Sequence, residues 1–146
     1  MKTRGFLSTL FALIMLLCAL QLTISTAAAA SGSGTYSAQL ISPTAGQVLY
    51  PGQQVMVKWN ATLPNTNAGG CEMEVFLSLD GGRSFTLCLT PHIDPHATYF
   101  YWTVPNMPTN AAVLDIRFGC EWYYPESYSP QPASTFAIAP STGQLY

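Results

Sequence analysis

The sequence predicts an all-β fold, a sandwich of about seven short strands behind a cleavable leader. Three observations carry the prediction. Apolar and polar residues alternate with a period of two in several segments, Pro, Gly and Asp clusters break these segments at short intervals, and the part after the leader has no helical period.

The first thirty residues have the three-part layout of a secretory signal peptide. Lys2 and Arg4 give a positive start, residues 6–20 (FLSTLFALIMLLCAL) are apolar, and STAAAAS offers small residues for cleavage near Ala30. The apolar run is short of the roughly 20 residues a permanent bilayer span needs, and Leu17 before Cys18 does not fit a lipoprotein cleavage site. The expected organisation is a signal peptide over residues 1–30 and one domain over residues 36–140, secreted and without stable membrane insertion after cleavage.

Without Lys2 and Arg4 the chain keeps three basic residues, Lys58, Arg83 and Arg117, against seven acidic ones, a net charge of −4. Phosphate-backbone recognition depends on Lys and Arg displacing counterions, so nucleic acid is not an expected partner. The low charge density gives little electrostatic steering, and binding should rest on aromatic rings and neutral hydrogen-bonding groups.

YSAQLIS, residues 36–42, reads as a short strand that ends before Pro43. Turns at residues 43–46 and at Pro51-Gly52 precede a strand whose Val55, Val57 and Trp59 share one face. Residues 60–70 (NATLPNTNAGG) read as a polar loop, with Asn60-Ala61-Thr62 as an N-glycosylation acceptor if the source is eukaryotic. CEMEVFLSLDGGRSFTLCLT reads as a hairpin: Met73, Val75, Leu77 and Leu79 face one way and Glu72, Glu74, Phe76 and Ser78 the other. Asp80-Gly81-Gly82 supplies the reversal, and Phe85, Leu87 and Leu89 continue on the return strand. Residues 91–96 (PHIDPH) are a loop, because two prolines interrupt any ladder.

In ATYFYWTVP, Tyr99, Tyr101 and Thr103 oppose Phe100, Trp102 and Val104. In AVLDIRFGC, Val113, Asp115 and Arg117 alternate with Leu114, Ile116 and Phe118. ASTFAIA is a last strand. Between these two lies CEWYYPESYSPQP, residues 120–132, with four aromatic rings and three prolines.

ISPTAGQVLYPGQQVMVKWN, then LSLDGGRSF, YFYWTVP and AVLDIRF, resemble small immunoglobulin-like or fibronectin-like domains of secreted and surface proteins. The pattern P-x-x-G … G … V-x-W … W-x-V-P is similar to the N-terminal domain of the fungal cell-wall glucan-synthesis family and to modules of bacterial surface proteins. The resemblance covers about residues 40–118 and implies an immunoglobulin-like sandwich; the matching residues set turns and core, so it implies no catalytic position. Separately, SLDGGRSF resembles the Asp-box hairpin turn of sialidases, with Ser84 and Phe85 in place of Thr and Trp. We read it as a turn whose Asp80 carboxylate accepts local backbone N–H groups.

In an immunoglobulin-like sheet the third and sixth strands pair, which would set residues 72–79 antiparallel to residues 112–119. Cys71 would then lie beside Cys120 in a disulfide, with Cys88 as a free thiol; a Cys71–Cys88 bridge across the hairpin is the alternative. Burial or a link to another chain would each account for Cys88.

No pattern for an enzyme, a metal centre or a cofactor emerges. His92, Asp94 and His96 could in principle hold a metal, but they sit on a proline-bracketed loop that does not make them converge. Glu72 and Glu74, with Asp115 and Arg117 on a neighbouring strand, read as the wet face of a sheet. The ring-rich stretch is read as a displayed loop at one end of the sandwich. There Trp122, Tyr123, Tyr124 and Tyr128 are the candidate ligand-binding residues, for an extracellular glycan or for a surface or matrix protein. A loop folded back over the core is the alternative. Tyr99 and Tyr101 either extend that patch or cover a different face. A flat row of at least three exposed rings would favour sugar, and a convex apolar patch with an open strand edge would favour protein.

Overall fold

The computed structural model describes residues 35–65, 70–121 and 124–141. The expected signal peptide, Trp122 and Tyr123 lie outside the described residues. Among the described residues nine strands form two sheets, consistent with an immunoglobulin-like sandwich: β1 (Ser37–Ser42), β2 (Val48–Leu49), β3 (Gln54–Thr62), β4 (Cys71–Ser78), β5 (Leu87–Cys88), β6 (Tyr99–Thr103), β7 (Thr109–Cys120), β8 (Tyr124–Ser127) and β9 (Phe136–Ile138). One sheet has the order β1-β3-β6. The other has the order β2-β9-β7-β4-β5, with β8 also on β7.

The period-two pattern of β3 buries Val55, Val57 and Trp59, while Gln54, Met56 and Lys58 are exposed. Trp102 and Val104 come in from β6 and the residues after it. From the second sheet Met73, Val75, Leu77, Leu114, Ile116, Phe118, Phe136 and Ile138 meet them in one core between the layers. Removing this apolar area from water is the main driving force for the two sheets to stack. Trp102 meets Phe136 edge-on across the layers, with ring centroids 6.4 Å apart.

β4 and β7 pair antiparallel, from Cys71 opposite Cys120 to Ser78 opposite Val113. This is the register expected from the sequence, and Cys71 and Cys120 are joined in a disulfide. The hairpin after β4 turns on Gly81 and Gly82, whose φ values of 79° and 85° disfavour side chains with a Cβ. Its return strand is shorter than expected. β5 holds only Leu87 and Cys88, while Leu89 still donates to the Val75 carbonyl at 2.8 Å.

Three further expectations are corrected. Residues 60–62 are not loop, because β3 continues against β1 through Thr62 opposite Ser37. A short strand not anticipated, β2, runs parallel to β9. The ring-rich stretch is not simply a connection: after a turn at Glu121, residues from Tyr124 onward return along β7. Cys120 pairs with Tyr124, Phe118 with Ser127, Asp115 with Pro130 and Ala112 with Phe136. Proline lacks an N–H, so this return strand is broken into β8, a bridge at Pro130, a 3-10 turn at Pro132–Ser134 and β9.

Candidate functional site

Two surfaces hold the chemistry-bearing side chains, one on the outer side of each sheet. On the second sheet, Asp115 departs from the wet-face reading. It is 1% exposed. Its carboxylate accepts from Arg117 Nε at 2.8 Å and from the Ser129 backbone N–H at 2.8 Å. The segment after β8 folds against the sheet at this point, and a buried carboxylate requires such partners.

Arg117 also donates to Glu126 at 3.1 Å. Its guanidinium sits over the Phe76 ring at 3.7 Å and over the Tyr128 ring at 4.7 Å. Planar guanidinium stacks on aromatic faces in this way while its edge serves carboxylates. Tyr128 is 60% exposed and donates its hydroxyl to Glu126 at 3.2 Å.

Beside this stack a groove of about 630 Å³ is bordered by Glu72, Glu74, His92, Arg117, Glu126 and Tyr124, and the disulfide cysteines also line it. His92 is held between two carboxylates: Nδ1 contacts Glu72, and Nε2 lies 3.6 Å from Glu74. The hydrogen bond and charge of Glu72 raise the His92 pKa above the ordinary imidazole value. His96 turns instead to Asp94, with its backbone N–H at 2.7 Å from that carboxylate. Among the described residues no three His, Cys, Asp or Glu side chains converge on a possible metal position.

The candidate rings occupy different environments. Tyr124 is half-buried. Its ring packs on Phe118 at 5.6 Å, Phe118 stacks on Tyr36 at 5.4 Å, and the Tyr124 hydroxyl accepts from the Tyr36 N–H at 3.4 Å. Tyr128 reaches solvent. Cys88 is an exposed free thiol whose Sγ lies 2.8 Å from the Thr90 carbonyl oxygen. Asn60 is exposed on β3.

Sequence reasoning gave less weight to the other surface. Tyr99 and Tyr101 lie on the first sheet, opposite Lys58 and Met56 of β3, and so cover a different face from Tyr124 and Tyr128. Tyr99 is 54% and Tyr101 63% exposed. Their rings meet edge-on with centroids 6.0 Å apart. Met56 is exposed beside Tyr101. The alternation in YFYWT is the signal that could have found this face: it puts two tyrosines outward on a strand that closes one side of its sheet.

The strand edges are treated differently. Along β1, Ser129 Oγ accepts from the Ala38 N–H at 3.2 Å and Gln131 Oε1 from the Leu40 N–H at 3.0 Å. Gln131 Nε2 donates back to the Ala38 carbonyl at 3.0 Å. That edge is closed by side chains. β2 and β5, at the ends of the other sheet, are two residues each, a length that protects an edge by itself.

β6 has neither protection. The bonds from Trp59 N–H to the Thr98 carbonyl and from Val104 N–H to the Gln53 carbonyl fix the phase of its ladder. Phe100 and Trp102 therefore bond inward to β3, and the N–H and C=O groups of Tyr99, Tyr101 and Thr103 point outward. Among the described residues these groups have no backbone or side-chain partner. No helix among the described residues is long and apolar enough to cross a membrane. No protein-family model matches the chain, and no curated protein matches it.

Proposed function

We propose that the chain is a secreted, non-catalytic binding module of the immunoglobulin-like class, which contacts a protein at the cell surface or in extracellular matrix. The observation that carries this reading is the outer face of β6, where Tyr99, Tyr101 and Met56 form an exposed apolar strip along an unprotected strand edge. Rings with polar tips give large contact area at small entropic cost, and an open edge adds directional backbone hydrogen bonds. The leader-like first thirty residues and the disulfide support an oxidising, extracellular destination. The resemblance to surface-protein modules points the same way.

The test is retention of a partner. The protein recovered from culture medium is immobilised and exposed to the native extracellular fraction, beside a Tyr99→Ala/Tyr101→Ala variant. The expected result is a protein retained by the wild type and lost, by tenfold or more, from the variant, with unchanged thermal unfolding. Equal retention by both proteins would remove the β6 face from the binding role.

A second reading, glycan recognition, has its own observation. One face of the exposed Tyr128 ring stacks on Arg117 and its hydroxyl donates to Glu126, two residues that line the groove containing Glu72 and Glu74. A ring beside carboxylates and a guanidinium suits a sugar's apolar face and hydroxyls. A glycan array that yields a ligand for the wild type and none for Tyr128→Ala would favour this reading over the first.

A further inference from the structure

We infer that the occupant of the β6 edge is the β6 edge of a second copy of this chain, so that two molecules join their first sheets into one continuous sheet. The inference rests on the binding reading above and names the partner for that surface.

The outward donors and acceptors belong to Tyr99, Tyr101 and Thr103, an odd-numbered set centred on Tyr101. A two-fold axis through Tyr101 pairs that residue with its own copy, and Tyr99 with Thr103 of the other copy, in both directions. Every outward group then meets its complement, with about six hydrogen bonds formed in the antiparallel ladder. The pairing leaves no unmatched backbone donor or acceptor on the three outward residues of either copy.

Charge does not oppose the approach. From residue 97 to residue 114 the chain carries no charged side chain, and no proline interrupts residues 97–104. The inward charges, lysines and bulges that commonly keep strand edges apart are therefore missing from β6. They are missing from an edge that, among the described residues, has no capping side chain either, whereas Ser129 and Gln131 close β1.

Side chains reinforce the same register. Successive outward residues of a strand lie on one face of a sheet, so Tyr101 of each copy would sit beside the other. The edge-on Tyr99–Tyr101 pair would extend into a row of four rings across the joint, flanked by the two Met56 side chains.

The test is sedimentation velocity on the protein recovered from culture medium, over a concentration range of about a hundredfold, in a reducing buffer mild enough to leave the internal disulfide and block linkage through Cys88. The wild type is expected to shift from monomer to dimer. Tyr101→Lys, which places two like charges at the axis, and Thr103→Pro, which removes an outward N–H, are each expected to raise the dimer dissociation constant at least tenfold. Circular dichroism checks that both remain folded, and Tyr128→Lys serves as a folded control that dimerises normally. A wild type that stays monomeric throughout overturns the inference, as does a dimer indifferent to Tyr101→Lys. If the wild type is monomeric yet Tyr99→Ala/Tyr101→Ala still abolishes partner retention, the binding reading stands and only the identity of the occupant fails.

Discussion

Single residues in this molecule act mainly by satisfying backbone groups where the ladder ends. Asp80 shows this most clearly. Its Oδ1 accepts from the Arg83 N–H at 3.0 Å, the Ser84 N–H at 2.9 Å and the Ser78 hydroxyl at 2.6 Å, and its Oδ2 accepts from the Ser84 hydroxyl at 2.7 Å. The Ser78 and Ser84 hydroxyls, with those backbone donors, hold the carboxyl well below the usual carboxylate range. A depressed folded pKa contributes stability that is fully present above the ordinary Asp value near pH ~4 and is lost as pH falls through the folded value. Asp80→Asn should therefore lower the urea midpoint at neutral pH, and its deficit relative to wild type should shrink steadily as the solution is acidified below about pH 4. A deficit that stays constant with pH would mean that the charge is not what matters in the turn. Asp115 illustrates the opposite setting: buried, it is tolerated because Arg117 and the Ser129 N–H complete its bonding.

Elements were legible where a local pattern and a long-range constraint agreed. The β4–β7 register was implied by the resemblance to immunoglobulin-like sheets, in which the third and sixth strands pair, and the burial of Met73, Val75 and Leu77 on one face of β4 agrees with it. Other elements had no local signature. β2 is two residues between turns, and β8 contains Pro125, a residue that argues against a strand when read alone. The burial of Asp115 depends on Ser129, fourteen residues away and brought back only by the return along β7. In the candidate site, the outward phase of Tyr99 and Tyr101 was readable, but the openness of their edge was not. It depends on which neighbours the topology withholds from β6. The clamp across β4 and β7 has a measurable consequence: its cysteines are 49 residues apart in sequence, and closing a loop of that size in the unfolded chain is worth about 4 kcal/mol by chain entropy. Cys71→Ser/Cys120→Ser should lose stability of about that size in urea denaturation, with the fold retained. A loss below about 1 kcal/mol would show that the β4–β7 ladder restrains the unfolded chain without the bridge.

At the scale of the whole molecule, the two sheets divide their labour. The five-stranded path carries the disulfide, the buried Asp115–Arg117 pair and the groove beside Arg117. The three-stranded sheet presents one capped edge and one bare edge. A sandwich that closes β1 with side chains and keeps β2 and β5 to two residues would be expected to close β6 as well, unless that strand meets a partner. Hydrogen exchange of the backbone amides in dilute protein tests this most directly. The amides of Phe100, Trp102 and Val104 should be protected and those of Tyr99, Tyr101 and Thr103 should exchange quickly, an alternation along a single strand. Protection of Tyr101 equal to that of Trp102, under conditions where the protein sediments as a monomer, would mean that the β6 edge is closed within the single molecule.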